Sequence, residues 1–172
     1  MDDNKITARY ISPKIAVFAI HGGKIEPGTD QLAEDIAGTD LSLYIFKGES
    51  FVQDHSPSTQ FNEPQALALA SRVETIVSIH GEKNEKKAFV IVGGLHEELA
   101  RAVEEGLLKE GFIVKPVPSG LSGNESKNIC NRGNCGKGVQ IEVSRKLRRD
   151  MRDNKEILSR FVNAVRQAIR PQ

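Results

Sequence analysis

The sequence predicts an α/β protein: a single domain spanning residues 1–172, with a mainly parallel, mixed sheet flanked by helices. Three observations carry this reading. Apolar runs of strand length alternate with segments of helical periodicity. Two of those runs, Lys14–Ile20 and Thr75–Ile79, deliver the same dipeptide, His-Gly, at their carboxyl ends. No internal repeat and no linker interrupts the alternation.

Residues 1–12 read as a polar lead-in. Lys14–Ile20 is nearly all apolar, which suits a central strand covered on both faces. Gly22, Gly23, Pro27 and Gly28 then break regular structure. Thr29 is placed to cap a helix running to about Ala37, with Leu32, Ala33 and Ile36 on one face and Gly38 as its stop. Ser42–Phe46 is a second strand. Lys47–Gln60 is polar and irregular. Asn62-Glu63-Pro64-Gln65 reads as a helix start with Asn62 as the cap, and that helix runs to about Val73. Thr75–Ile79 is β-branched and strand-like. Ala88–Val92 is another strand, stopped by Gly93-Gly94.

Leu95–Glu110 is an amphipathic helix with Leu99, Val103 and Leu107 on its buried stripe. Phe112–Val117 reads as a strand. Pro118–Lys137 is a long loop rich in Gly, Ser and Asn, of a length that favours a functional role. Gly138–Ser144 is the last strand. Lys155–Ile169 closes the chain as a helix, with Ile157, Leu158, Phe161, Val162, Val165 and Ile169 toward the sheet.

Composition narrows the function. Lys plus Arg number 24 against 23 Asp plus Glu, and aromatics are 5% with no Trp. That balance argues against general nucleic-acid binding, which needs basic excess and stacking surfaces. No run is long enough to cross a membrane. The first 14 residues lack the apolar core of a secretory signal, which predicts a cytoplasmic protein, release on cell lysis fitting equally well. Cys130 and Cys135 are expected to be free thiols, the default in a chain made without a signal, and no second Cys or His pair stands at finger spacing to complete a zinc site with them.

The chemistry concentrates at the two His-Gly strand ends. Glu26 lies five residues beyond His21, past glycines that let the chain curl back. His21, Glu26 and His80 together supply two imidazoles and a carboxylate. Such a set leaves a position open, as catalytic rather than structural zinc sites do. A divalent metal there would act as a Lewis acid, and a nearby carboxylate would take the proton of the attacking water. Glu142, set between Ile141 and Val143, is the candidate; period-two alternation equally allows it to face solvent. Arg132, ten residues earlier in the long loop, is placed to meet a substrate carboxylate or the developing oxyanion. An ordinary exposed arginine fits the pattern too.

Competing signatures fail. His96-Glu97-Glu98-Leu99-Ala100 lacks the second histidine of a zincin helix, which leaves His96 in a helix's first turn. No Gly-x-Ser-x-Gly elbow accompanies His21-Gly22-Gly23. His55 reads as a lone loop histidine with a surface or hydrogen-bonding role. Arg145, Lys146, Arg148 and Arg149 form either a solvated helix face or a landing strip for a polyanion.

Seven blocks, in this order, resemble a known family: Ala19-Ile-His-Gly-Gly-Lys-Ile-Glu-Pro-Gly-Thr29, Ser42-Leu-Tyr44, Phe61-Asn-Glu-Pro64, Val77-Ser-Ile-His-Gly81, Val92-Gly-Gly-Leu95, Asn128-Ile-Cys-Asn-Arg-Gly133 and Gly138-Val-Gln-Ile-Glu-Val-Ser144. Across residues 14–150 the chain resembles the poly-γ-glutamate hydrolases of Bacillus phages and prophages, whose members are often labelled phage-related replication proteins. That family looks like a compact relative of the zinc carboxypeptidases. The resemblance implies a carboxypeptidase-like fold, Zn2+ bound by His21, Glu26 and His80, and Glu142 as general base. It implies that Asn131 and Arg132 hold a substrate carboxylate. Gln60 stands where the family often has histidine.

The expectation is therefore a monomeric zinc hydrolase that cleaves γ-glutamyl amide bonds of an anionic polymer. Arg145, Arg148 and Arg149 would form a basic rim that helps hold it. No nucleic-acid or membrane partner is expected. Two alternatives stand beside it: a zinc amidohydrolase acting on another acylated amine or a short γ-glutamyl peptide, and a non-catalytic, metal-stabilised binding protein serving phage replication.

Overall fold

The run Ile15–Ile20 carries no polar side chain, and every one of its residues is buried. A strand with two apolar faces must be covered on both sides, and this dictates a three-layer arrangement. The computed structural model describes residues 5–170. The elements are β1 (Ile6–Arg9), β2 (Ile15–Gly23), α1 (Thr29–Ala37), β3 (Ser42–Gly48), α2 (Phe51–Asp54), α3 (Pro64–Ala70), β4 (Thr75–Glu82), β5 (Val90–Gly93), α4 (Glu97–Lys109), β6 (Val139–Ser144), α5 (Arg145–Asp153) and α6 (Lys155–Ile169). Two 3-10 turns, Ser119–Leu121 and Ile129–Asn131, punctuate the long loop before β6.

The sheet order is β1-β3-β2-β4-β6-β5. The four central strands are parallel, and the edges β1 and β5 run antiparallel to their neighbours. One face carries Val17, Leu43, Val77, Ile79, Ile141 and Val143 against α1, α4 and α6. The other carries Ala16, Phe18, Ile20, Tyr44 and Ile76 against α3, Phe61 and the turn at Ile129–Cys130. The alternation along β2 thus feeds two separate cores.

Chain order creates the site. From β2 the chain moves to β3 on one side, then crosses to β4 on the other. Strand β2 therefore marks a switch point, and the carboxyl ends of β2 and β4 flank the crevice such a point opens. The β2–β4 ladder pairs Ile15–Phe18 with Thr75–Ser78 and stops there. The β2–β3 register shifts between Ala19 and Gly22, bracketing His21. That irregularity re-aims the histidine out of the ladder. Gly22 is required there: a Cβ would lie 2.8 Å from the Asp30 Cβ and 2.9 Å from the Phe46 carbonyl.

Several elements depart from the sequence reading. Part of the polar lead-in is strand β1, paired to β3 from Ile6 to Arg9. Phe112–Val117 is not a strand; it makes one bridge, Val90 to Val114, with Ile113 exposed and Pro116 and Pro118 lacking donors. Residues 51–54 form a short helix within the stretch expected to be irregular. Gly28 rather than Thr29 caps α1, because its φ of 92° suits glycine, and Thr29 turns its hydroxyl to the Glu26 carbonyl. Glu63, not Asn62, caps α3, accepting from the Gln65 and Ala66 amides. Cys130 and Cys135 are free, the first buried with its thiol pushed up to about 12 by desolvation.

Candidate metal centre

His21 ends the apolar run of β2, and His80 ends that of β4. Both are buried, at 3% and 2% exposure. The turn Gly22–Gly28 swings Glu26 back, tied by its amide to the His21 carbonyl at 2.8 Å. The Nδ1 atoms of the two histidines lie 3.2 Å apart. Glu26 Oε1 is 3.0 Å from His21 Nδ1, and Oε2 is 3.7 Å from His80 Nδ1. The three side chains offer one ligand atom each within 4.8 Å of one another.

The outer partners of these residues leave the arrangement able to hold a cation. His21 Nε2 donates to the Ser56 carbonyl at 2.8 Å. A carbonyl only accepts, so Nε2 carries the proton, and Nδ1 of a neutral ring presents a lone pair to the centre. His80 Nε2 is held at 2.9 Å by the Ser78 hydroxyl. The Gly81 amide donates to Glu26 Oε2 at 2.8 Å. Two imidazole nitrogens and a carboxylate thus converge with their outer atoms fixed, as metal-binding histidines usually are. A ring proton between the two Nδ1 atoms satisfies their contact in the absence of a metal, and the donor set suits zinc.

The electrostatics agree. Burial works against ionisation of Glu26, but hydrogen bonds and charge from His21 and His80 outweigh it and hold the carboxyl well below its usual range. Burial likewise opposes a proton on His80, yet Glu26 and Glu142 raise its pKa. Glu142 is opposite His80 on the β4–β6 ladder. Desolvation, with the Glu26 charge adding, raises the Glu142 carboxyl above the usual value.

Glu142 is 6% exposed, so it does not face solvent. It lines the same cleft of about 590 Å3 as His21, Glu26 and His80. Gln140, two residues earlier on the same face, donates from Nε2 to Glu142 Oε1 at 3.2 Å. Gln140 Oε1 in turn accepts from Asn128 at 2.9 Å. The sequence reading missed Gln140 and Ser78. Each stands two residues before a singled-out side chain on a strand, the spacing that shares a face.

His55 is no ordinary surface histidine. Its ring lies 4.4 Å from that of His21 and 4.5 Å from that of Phe51, within the cleft. Burial and the neighbouring His21 lower its pKa. His96 caps α4, its Nδ1 accepting from the Leu99 amide.

The remaining singled-out residues lie elsewhere. Asn131 is buried and fully engaged: Oδ1 accepts from Leu95 and Gly138, and Nδ2 donates to Gly123 and Glu125. Arg132 does not line the metal cleft. The turn Ile129–Asn131 packs against β4, and Arg132 projects to donate to the Phe61 carbonyl and Asn62 Oδ1, both at 3.2 Å. It lines an adjoining groove with Lys127, Asn62 and Thr59, and Thr59 also lines the metal cleft. Arg145 pairs with Glu85 at 2.7 Å and borders a separate groove beyond the Glu26–Pro27 turn.

A three-layer α/β fold that gathers His21, Glu26 and His80 beside the ends of β2 and β4 places the chain among α/β proteins with a candidate metal centre. The family model for poly-gamma-glutamate hydrolase matches residues 1–167, and the chain belongs to that family. It is 36% identical over 146 residues to the SPbeta prophage-derived UPF0714 protein YoqZ of Bacillus subtilis (strain 168), covering 82% of this chain and 53% of YoqZ. It is 30% identical over 154 residues to the UPF0714 protein YndL of the same strain, covering 87% and 60%. The chain thus spans between half and two thirds of these relatives' length.

A solved bacteriophage poly-gamma-glutamate hydrolase superposes with a TM-score of 0.88 at 30% identity, over 95% of this chain and 86% of that one. The zinc-free form of YndL superposes at 0.87 with 28% identity, over 98% and 91%. An N-formylglutamate amidohydrolase from Ralstonia eutropha JMP134 shares the fold at a TM-score of 0.59 and 11% identity, over 95% and 96%.

Proposed function

We propose that the protein is a zinc-dependent amide hydrolase that cleaves the γ-glutamyl bonds of poly-γ-glutamate. The observation that carries this is the convergence of His21 Nδ1, His80 Nδ1 and the Glu26 carboxylate beside a second buried carboxylate, Glu142. The family membership and the zinc-free form of YndL support the choice of substrate and metal.

His21, Glu26 and His80 would hold the ion, which when bound supplies a Lewis acid that polarises the amide carbonyl and acidifies water. The protein's own residues do the rest. Glu142, with its carboxyl raised by burial, is suited to take the proton of the attacking water and return it to the leaving amine. Gln140 holds one oxygen of Glu142 and so fixes which oxygen faces the reacting atoms. Ser56 and Ser78 hold the outer nitrogens of the two histidines.

A γ-linked polymer carries a free carboxylate on every unit. In this reading Arg132, with Lys127 beside it in the groove that shares Thr59 with the metal cleft, receives one of those carboxylates. That puts Arg132 at a neighbouring unit rather than at the oxyanion. Asn131 anchors the loop that presents it. A monomeric protein without nucleic-acid or membrane partners, working in the cytoplasm or released at lysis, belongs to the same proposal. Among the described residues, no helix is long and apolar enough to cross a membrane.

The test is product analysis. Zinc-loaded protein is incubated with poly-γ-glutamate and with α-linked polyglutamate. Shortening of the γ-linked polymer alone is the expected result. If neither shortens while the protein retains its metal, the hydrolase reading fails.

A further inference from the structure

A second groove lies on the far side of the Glu26–Pro27 turn from the metal cleft. It measures about 410 Å3 and is bordered by Arg145, Arg148, Arg149, Arg152 and Lys155 from α5 and α6. Opposite stand Gln31 and Asp35 of α1, and Leu32, Met151 and Leu158 make an apolar floor. Five cations face one carboxylate, and Asp35 already accepts from Gln31 at 3.1 Å.

One member of the rim is not part of a solvated helix face. Arg148 is 7% exposed. Its Nη1 donates to the Val143 carbonyl at 2.8 Å, while its Nε has no hydrogen-bond partner among the described residues. Arg152 pairs only with its neighbour Asp153, both well exposed, and such a pair is readily exchanged for another anion. Neither Arg149 nor Lys155 has an ion-pair partner among the described residues.

We infer that this groove is a second binding site for the carboxylate-bearing polymer, away from the bond being cut. This rests on the reading of the substrate as γ-linked polyglutamate. The backbone of that polymer carries two methylenes per unit, which suit a floor of Leu32, Met151 and Leu158. Its pendant carboxylates suit the arginine rim. Nucleic acid fits less well, since no aromatic ring lines the groove to stack a base. Arg148 links the two sites: it lines this groove while its guanidinium packs against Gly81, whose amide holds Glu26. The groove makes the protein prefer long chains, because a chain held there raises its own concentration at the cleft.

The experiment compares wild type with the double variant Arg152→Ala/Lys155→Ala, with urea unfolding as a folding control. Fluorescence polarisation follows labelled long poly-γ-glutamate, with chelator present so that the chain stays intact. Turnover of a short γ-glutamyl peptide by zinc-loaded protein is measured in parallel. The double variant is expected to bind the long polymer about tenfold more weakly, a difference of about 1.4 kcal/mol, while short-peptide turnover stays within about twofold. Unchanged polymer binding overturns the proposal. So does a parallel fall in short-peptide turnover, which would make the groove part of the cleft. A DNA duplex that binds the groove more tightly than the polymer overturns the carboxylate assignment. Wild type that binds the polymer but cuts neither substrate strikes the hydrolase reading and leaves the groove standing.

Discussion

His80 and Glu142 are direct partners across the parallel β4–β6 ladder. One belongs to the candidate cation set and the other to the strand beside it, so backbone pairing sets their spacing while Ser78 and Gln140 hold the side chains. Each also conditions the other: the Glu142 charge helps raise His80, and the His80 charge partly offsets the burial that raises Glu142. Glu142 is thereby kept out of the cation set yet close to it.

Replacing Glu142 with glutamine should separate proton transfer from metal binding. The amide preserves volume and can still meet Gln140, but it cannot take a proton. Metal content should stay at one per chain, while turnover of the γ-linked polymer falls by roughly 10²–10⁴. Elemental analysis and product sizing read the two quantities. Turnover close to that of wild type would remove Glu142 from the role of base.

Metal binding should stabilise the fold, because the cation set spans β2, the Glu26 turn and β4 and exists only when they are assembled. Zinc at about 100 times its dissociation constant contributes about 2.7 kcal/mol, or roughly 5–10 °C in Tm for a chain of this size. His80→Ala should abolish that rise. A variant that gains as much from zinc as wild type would show that the ion binds elsewhere.

The neighbours Asn131 and Arg132 should behave differently. Asn131→Ala strands two amides and two carbonyls at the base of the loop, and should cost about 2–4 kcal/mol in urea unfolding.

Arg132→Ala removes bonds at the surface. Its urea midpoint should hold, while KM for the polymer rises about tenfold or more and kcat changes little. A fall confined to kcat would point back to the oxyanion.

How much of this could be read from the chain depends on range. Strands β2 and β4 were legible because burial on both faces leaves unbroken apolar runs, and their His-Gly ends marked the crevice. The four-residue edge strand β1 was hidden because its residues are half exposed and carry no pattern. Phe112–Val117 misled for the opposite reason: it is apolar enough for a strand, but Pro116 within it and Pro118 just beyond cannot donate to a ladder. His55 reaches the cleft through tertiary folding of residues 51–59, which no local spacing encodes. The long loop was legible as one irregular stretch before β6, yet its sequence could not say that Asn131 turns inward and Arg132 into an adjoining groove.

The pair Tyr44 and Glu63 ties this loop-bearing side of the sheet to α3, and gives stability an alkaline limit. The Tyr44 phenol donates to Glu63 Oε2 at 2.8 Å, and Glu63 also accepts from the Gln65 and Ala66 amides. Burial, with the Glu63 hydrogen bond and charge adding, raises the phenol well above its usual value of 10. The folded protein therefore keeps a proton that the unfolded chain loses near pH 10. Above that pH the unfolded state binds fewer protons, so stability falls as pH rises; below it the contribution is fully present. Tyr44→Phe removes the donor and should cost about 1.5–3 kcal/mol at pH 8. The gap between wild type and variant in urea unfolding should then narrow above pH 10 by up to about 1.4 kcal/mol per pH unit, other titrations cancelling in the difference. A gap that stays constant to pH 11 would show that the phenol already ionises in the folded state as it does in the unfolded chain.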